Sequence, residues 1–559
     1  MKKFIAFLLA FAIVSISVFA FNFPEPDWGA LLREREAMVK ETELELYVEG
    51  TPDTAPYFGA KFEPKAGTYL GMVPENSDAF SPIGSYLTYF DNMNQDDIYY
   101  PANQMIKDHD VVTVIGWTIA NLDVINYEKI RQILDTLNSY NKPMLIRFAN
   151  EMNDGNMGDD PFKYIEVFRN VANMVHEYPN LATVWSPLDL GALDRPFEYY
   201  YPGDEYVDWV GISCYSKKYF MGKADTSYND SVYFMAGDYA FASNRVKPFF
   251  DFLSKNNIKK PVMISEGGVA TNTVYGEDMQ NWNSPRLRNM MWYLVMKYPQ
   301  IKMLNYFNTY RADEAEKFDL DNYSYAADIF NQAADSGAYI RSANGTPDFV
   351  FAKATDGMYL TAKDNVIPLY TYAYFPSKPE VTVNYYIDGG WYHSSNTIPY
   401  ICNLDMNSVS DGGHTLKVSA EGKEKELHFI KSGSVINFGT APLNPTVISV
   451  TVNGKPVHFD QPPFIVDDRT LVPLRAIFEA LGATVEWNDP TVTANKNGIN
   501  ISLQIGSNEM YVNGEVKVLD VPAQLMNDRT FVPVRAVSEA FNCTVNWYDS
   551  NQYIEIIEN

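Results

Sequence analysis

Leu145-Ile146-Arg147-Phe148-Ala149-Asn150-Glu151-Met152-Asn153-Asp154 begins as an apolar run and turns abruptly polar. Pro143 stands just before it. This is the pattern of a buried parallel strand that delivers its last side chains to a loop. In a barrel of alternating strands and helices, the C-terminal strand ends form the working face. Glu151 is therefore expected at that mouth, with Asn150 beside it. A second run, Pro261-Val262-Met263-Ile264-Ser265-Glu266-Gly267-Gly268, repeats the grammar: apolar strand, glutamate, glycine turn. The 115 residues from Glu151 to Glu266 leave room for about three strand-helix-strand units. If Glu151 ends the fourth strand, Glu266 ends the seventh, and the two face each other across an eight-stranded barrel. Paired carboxylates so placed suit glycosidic bond cleavage, which needs an acid/base and a nucleophile or second base.

Outward from these two runs, strands and helical patterns alternate from Gly67 to about Gly337. The predicted strands are Thr68–Val73, Tyr86–Phe90, Val111–Trp117, Met144–Glu151, Leu181–Pro187, Val207–Tyr215, Val262–Glu266 and Lys302–Asn308. Between several of them lie helical patterns, at Tyr127–Tyr140, Phe162–Tyr178 and Arg286–Tyr298. In the first, Ile130, Ile133, Leu134 and Leu137 share one face. Eight strands with helical crossovers over roughly 250 residues match a (β/α)8 TIM barrel, assigned to 61–340. The longest insertion, between Tyr215 and Phe241, is rich in Tyr, Phe and Met and is expected to wall the cleft.

Four stretches carry a family resemblance. Arg147-Phe148-Ala149-Asn150-Glu151-Met152-Asn153, Val184-Trp185-Ser186-Pro187, Tyr201-Pro202-Gly203-Asp204-Glu205-Tyr206-Val207-Asp208-Trp209-Val210-Gly211-Ile212 and Ile264-Ser265-Glu266-Gly267-Gly268 together resemble the catalytic barrel of glycoside hydrolase family 26, best known for β-mannanases. The resemblance implies that Glu151 is the general acid/base and Glu266 the nucleophile of a retaining reaction. It implies that Tyr215 touches the nucleophile, with a plain cleft-lining aromatic as the competing role. Arg147 is positioned to keep a carboxylate ionised, with a structural ion pair inside the barrel as the competing role. Trp185 and Trp117 are candidates for the floor of the sugar site, with core packing the alternative for Trp117. Three positions depart from the family pattern: Asn150 replaces a histidine, no aromatic follows Glu-Met-Asn in Asp154–Asp160, and Tyr306 stands where a tryptophan is usual. The acid/base pair is kept while the substrate platform differs.

The 559 residues exceed one ordinary domain. Residues 1–20 read as a signal peptide: Lys2 and Lys3, an apolar core, then Val18-Phe19-Ala20. The mature chain is expected to be secreted or associated with the cell envelope. No later stretch is apolar and long enough to cross a bilayer. Residues 21–60 form an N-terminal extension in which Trp28–Val48 reads as a partly amphipathic helix lying outside the barrel. Net charge is −26, which disfavours nucleic acid and anionic membrane surfaces as partners but not a neutral polysaccharide. Cys214, Cys402 and Cys543 lie far apart and give neither a disulfide framework nor a metal spacing. No cofactor is expected.

After Asn344 short alternating strands take over, and 345–440 is read as an immunoglobulin-like β-sandwich that spaces the domains. Residues 446–559 contain a repeat at an offset of 60 residues. Asp468-Arg469-Thr470-Leu471-Val472-Pro473-Leu474-Arg475-Ala476 recurs as Asp528-Arg529-Thr530-Phe531-Val532-Pro533-Val534-Arg535-Ala536, and Thr484-Val485-Glu486-Trp487 as Thr544-Val545-Asn546-Trp547. Two halves packed on each other are expected. This region resembles the module named after the N-terminal domain of copper amine oxidases. Copper is not implied, since the copies hold no His cluster. Trp487 and Trp547 are read as core, and docking to a cell-envelope polymer is an expectation from module context. Function is thus read as an exported retaining endo-glycosidase acting on a β-linked, mannan-type or related polysaccharide. The competing reading is a barrel that has lost turnover and survives as a polysaccharide-binding or envelope protein.

Overall fold

A computed structural model describes residues 41–559, apart from 75–81, 92–106, 108, 120, 155–158, 190–194, 218–245, 274–276, 310–316, 376–377, 440–447 and a few short gaps after 457. The expected signal peptide, residues 28–40 of the expected N-terminal helix and most of the insertion after Tyr215 lie outside the described residues.

Eight parallel strands close into a barrel: β2 (Thr68–Pro74), β3 (Ser85–Asp91), β4 (Val112–Thr118), β5 (Met144–Phe148), β6 (Leu181–Trp185), β7 (Trp209–Ser216), β8 (Val262–Val269) and β9 (Ile301–Asn308). Closure comes from β2 pairing with β9, from Tyr69 opposite Met303 to Pro74 opposite Asn308. The boundaries follow the predicted ones within a few residues, because each strand is buried on both faces and reads as an apolar run.

Alternation along each strand divides the side chains. Tyr69, Leu87, Val114, Leu145, Val184, Trp209, Met263 and Met303 meet inside the barrel. Their neighbours Ile115, Trp117, Ile146, Trp185, Ile212, Ile264 and Leu304 pack outward, in one core with the helices. Helix α1 (Tyr127–Ser139) buries Ile130, Ile133, Leu134 and Leu137, and Asn126 caps it by accepting a hydrogen bond from the Lys129 amide. Helix α2 (Pro161–Val175) starts with Asp160 as cap and Pro161 at its first position.

The predicted helix at Arg286–Tyr298 contains a π-helical turn, Asn289–Tyr293, between α-helical segments. That turn is where the barrel meets the next domain. Tyr293 Oη accepts from the Ala373 amide at 2.9 Å and lies against the Tyr372 ring, 4.3 Å between centroids.

The domain after the barrel consists of two sheets. One has four strands, and its second is not from this part of the chain. It is β1 (Glu43–Gly50), antiparallel both to Val350–Lys353 and to Val366–Tyr374. The expected N-terminal helix is therefore corrected over its last turns. Leu44, Leu46 and Val48 alternate and are buried, a period of two that fits a half-buried strand. The barrel is thus threaded between two strands of one sheet. The other sheet has six strands, from Tyr359–Thr361 to Gly390–Ser395.

In the C-terminal module the two repeats meet about a local two-fold axis. Strands Arg469–Pro473 and Arg529–Pro533 run antiparallel with Val472 opposite Val532, the same position in each copy. The module has a hydrophobic core of its own, including Ile477, Phe478, Val537 and Phe541.

Candidate active site

The site is built on the interior face of the barrel, above its apolar floor. Above the apolar layer the inward positions turn polar: Arg147 on β5, Ser213 on β7, Ser265 and Glu266 on β8, and Asn305 on β9, with Ser186 just past the end of β6. Arg147 is fully buried. Its Nε donates to Ser186 Oγ at 2.9 Å and its Nη2 to Ser213 Oγ. Its two terminal nitrogens also reach both predicted glutamates: Nη1 to Glu266 Oε2 at 2.9 Å and Nη2 to Glu151 Oε1 at 3.1 Å. Burial works against the guanidinium's charge, but Glu266, Glu151 and Tyr89 outweigh it and hold the proton more firmly than usual.

Glu266 faces inward because of a β-bulge. Ile212 lies opposite Ile264, and the next pair is Ser213 opposite Glu266, so Ser265 is an extra residue on β8. The bulge lets two successive side chains point into the barrel. Ser265 Oγ accepts from Ser186 Oγ at 2.9 Å, and Glu266 receives Arg147. Two tyrosines complete its surroundings, Tyr89 Oη donating to Oε2 and Tyr215 Oη to Oε1. Burial first, and then the charge of Glu266, raise both phenols well above their ordinary value, so they remain donors. Tyr89 fits because β4 has glycine beside it. A Cβ on Gly116 would sit 2.6 Å from the Tyr89 ring. Gly267 and Gly268 are equally constrained, with Cys214 O and Phe318 at 2.8 and 2.9 Å from any added Cβ.

Strand β5 ends at Phe148, three residues before the expected end. Ala149 and Glu151 then adopt left-handed backbone, φ 47° and 57°, a conformation non-glycine residues hold only where the surroundings enforce it. Those surroundings are visible. The Ala149 amide donates to Trp117 O and the Glu151 amide to Ser186 O, both at 2.8 Å. Asn153 clamps the backbone of Leu188 with both ends of its amide, donating to the carbonyl and accepting from the N–H. Burial, then the charge of Glu266, push the Glu151 carboxyl above the ordinary glutamate range, while Arg147 and Ser213 pull it back. Its side chain keeps 28% exposure against 10% for Glu266, so Glu151 is the one nearer the opening. Asn150, before it, is buried, and its Oδ1 has no hydrogen-bond partner among the described residues.

Five of the eight residues named from the sequence come together here: Glu151, Glu266, Arg147, Asn150 and Tyr215. Three do not, and their assignment to the sugar site is corrected. Trp117, Trp185 and Tyr306 are 0% exposed and belong to the outward set. Trp185 packs among Tyr201, Phe249 and Phe252, with ring centroids 5.0 to 6.0 Å away. Trp117 meets Phe148 edge-on, and Tyr306 lies 6.0 Å from Phe330 of the helix Ser324–Ala334. The reason is strand parity: each is one residue out of step with its inward neighbours, Gly116, Val184 and Asn305. Parity also finds residues that motif reasoning missed. Tyr89 is in step with inward Leu87, and Ser213 with inward Trp209. At the mouth Tyr215, Phe307 and Phe318 form an aromatic cluster, with centroid distances of 5.0 to 6.1 Å. Among the described residues no group of three or more His, Cys, Asp or Glu side chains could hold a metal ion.

Residues 75–285 match the model of glycosyl hydrolase family 26, and residues 451–556 that of the copper amine oxidase N-terminal domain. A curated protein named "Protease inhibitor" from Brevibacillus choshinensis is 35% identical over 106 residues, 18% of this chain and 32% of that protein. The match therefore spans about a third of its length. Among solved structures, an endo-β-1,4-mannanase double mutant from Cellulomonas fimi aligns with a TM-score of 0.36 at 12% identity, over 68% of this chain and 99% of that one. A β-mannanase of the same family from Bacteroides ovatus gives 0.36 at 14% identity, over 58% and 97%. The barrel is thus glycosyl hydrolase family 26-like, and the C-terminal repeat is copper amine oxidase N-terminal-like.

Proposed function

We infer that the barrel hydrolyses a β-linked, neutral, mannan-type or related polysaccharide with retention of anomeric configuration, Glu266 acting as nucleophile and Glu151 as acid/base. The observation that carries this reading is the single buried guanidinium of Arg147 bonded to both carboxylates. The two carboxylates have opposite surroundings. Glu266 accepts from Arg147, Tyr89 and Tyr215, three donors that fix the orientation of the attacking carboxylate. Glu151 is pushed toward the protonated form that a leaving oxygen requires.

In the first step Glu266 attacks the anomeric carbon while Glu151 hands its proton to the departing glycosidic oxygen. The ester so formed extinguishes the charge on Glu266. That charge is one of the causes holding Glu151 protonated, so Glu151 ionises more readily and takes a proton from the water that breaks the ester. Tyr89 and Tyr215 stay in place through both steps as donors to the Glu266 oxygens. The Oδ1 of buried Asn150, without a partner among the described residues, supports a hydroxyl-bearing ligand, since a sugar hydroxyl would satisfy it. A polymer substrate places the work outside the cell, and the charged and then apolar start of residues 1–20 supports export.

The test is release of reducing ends from mannan, glucomannan, xylan and mixed-linkage glucan, repeated with Glu151→Gln and Glu266→Gln. Hydrolysis of at least one polymer, lost in both variants, is expected. Hydrolysis of none, or hydrolysis indifferent to both substitutions, would sink the assignment and leave a binding barrel.

A further inference from the structure

The C-terminal module contains a cleft of about 800 Å³ that crosses between its two repeats. Arg475, Glu479, Trp487 and Val492 line it from the first copy, Leu525 and Arg529 from the second. Two of its apolar side chains are left in solvent, Trp487 at 41% exposed and Leu525 at 53%, while Val492 is buried. This corrects the expectation that Trp487 is core. Its strand, Thr484–Asn488, is exposed at four of five positions, while the related Trp547 packs partly on the module's core. An exposed indole and an exposed leucine lining one cleft are apolar surface of the kind that marks a binding site.

The geometry points to a binding site for a neutral polysaccharide on this module, with Trp487 as its stacking platform. Two observations favour that occupant. The rim offers both donors and acceptors, and part of its charge is paired: Arg475 lies 4.0 Å from Glu479 on the same helix, Leu474–Ala480, while Arg529 adds a second guanidinium. Paired charges of this kind hydrogen-bond hydroxyls without selecting a charged ligand, and a sugar ring presents an apolar C–H face to the indole between its hydroxyls. An anionic polymer would meet a chain of net charge −26. This inference goes beyond the barrel's proposed chemistry and does not require turnover.

The experiment uses the full chain carrying Glu266→Gln, so that no polymer is degraded, run through native gels containing mannan, glucomannan, xylan, mixed-linkage glucan or, as an anionic control, polygalacturonate. Retardation by at least one neutral polymer is expected. Trp487→Ala should weaken it about tenfold, Trp487→Phe should restore most of it, and the melting temperature should be unchanged because the side chain is exposed. No retardation by any neutral polymer, retardation by polygalacturonate alone, or retardation indifferent to Trp487→Ala would overturn the inference. The two proposals fail separately. Loss of the barrel reading shows as no hydrolysis by the unsubstituted chain, whereas loss of this one shows as absent retardation, or retardation indifferent to Trp487→Ala, while that hydrolysis persists.

Discussion

At Glu151 the fold works against ionisation. Burial and Glu266 raise its folded pKa above the 4.5 of an ordinary glutamate. Below that ordinary value the carboxyl is protonated in both folded and unfolded chains, and no cost arises. As pH rises through the ordinary value and then the raised one, the unfolded chain releases its proton more easily, and the fold loses stability. Glu151→Gln, neutral at every pH, is therefore expected to melt higher than the unsubstituted chain at pH 7, with the gain shrinking toward pH 4. A gain that grows on acidification would show that Arg147 rather than burial dominates. At Glu266 the three donors act together. Tyr89→Phe removes one without opening a cavity and should lower kcat by roughly tenfold to a hundredfold, measured on any polymer that the chain cleaves. Both glutamates and Arg147 were legible from two short strand motifs. Tyr89 was not, because nothing next to it in sequence marks it. Its role depends on glycine across the strand pair, at Gly116, and on a bulge that brings Glu266 within reach.

At the scale of elements, strand parity separates what binds from what packs. The family resemblance makes Trp185 a candidate sugar platform, yet inward Val184 beside it places Trp185 against Phe249 and Phe252. Trp185→Phe is accordingly expected to cost about 1–2 kcal/mol in thermal unfolding while leaving KM unchanged. A raised KM at unchanged melting temperature would mean that the ring reaches substrate. The eight strands themselves were readable because parallel strands covered on both faces are apolar throughout, and the helix Tyr127–Ser139 between two of them carries a one-sided stripe. The exact turn after Phe148 was not. Left-handed Ala149 and Glu151 are held by the Trp117 and Ser186 carbonyls and by the Asn153 clamp, all supplied by neighbouring strands and loops rather than by local sequence. The bulge at Ser265 was hidden for the same reason: an extra residue shows only when the partner strand's register is known.

For the whole molecule, the striding of one chain through two domains sets its stability. β1 precedes the barrel in sequence but fills the second place of a sheet whose other strands follow it. Its alternating Leu44, Leu46 and Val48 carried that signal, masked by flanking charged residues that also suit a helix. The π-helical turn then locks the barrel to that sheet through Tyr293 and Tyr372. Removing residues 41–50 is expected to destabilise barrel and sandwich together, whereas the C-terminal module, with its separate core, should keep its own transition in calorimetry. A barrel transition unmoved by that deletion would show that β1 is ornamental. Above all these expectations stands the pairing of Glu151 and Glu266 over one sugar. Proton NMR of the first product released from a cleaved polymer reads it directly. The expected result is a newly formed end that appears first as the β anomer, as in the substrate, and only later equilibrates. An end that appears first as the α anomer would contradict the assignment of Glu266 as nucleophile.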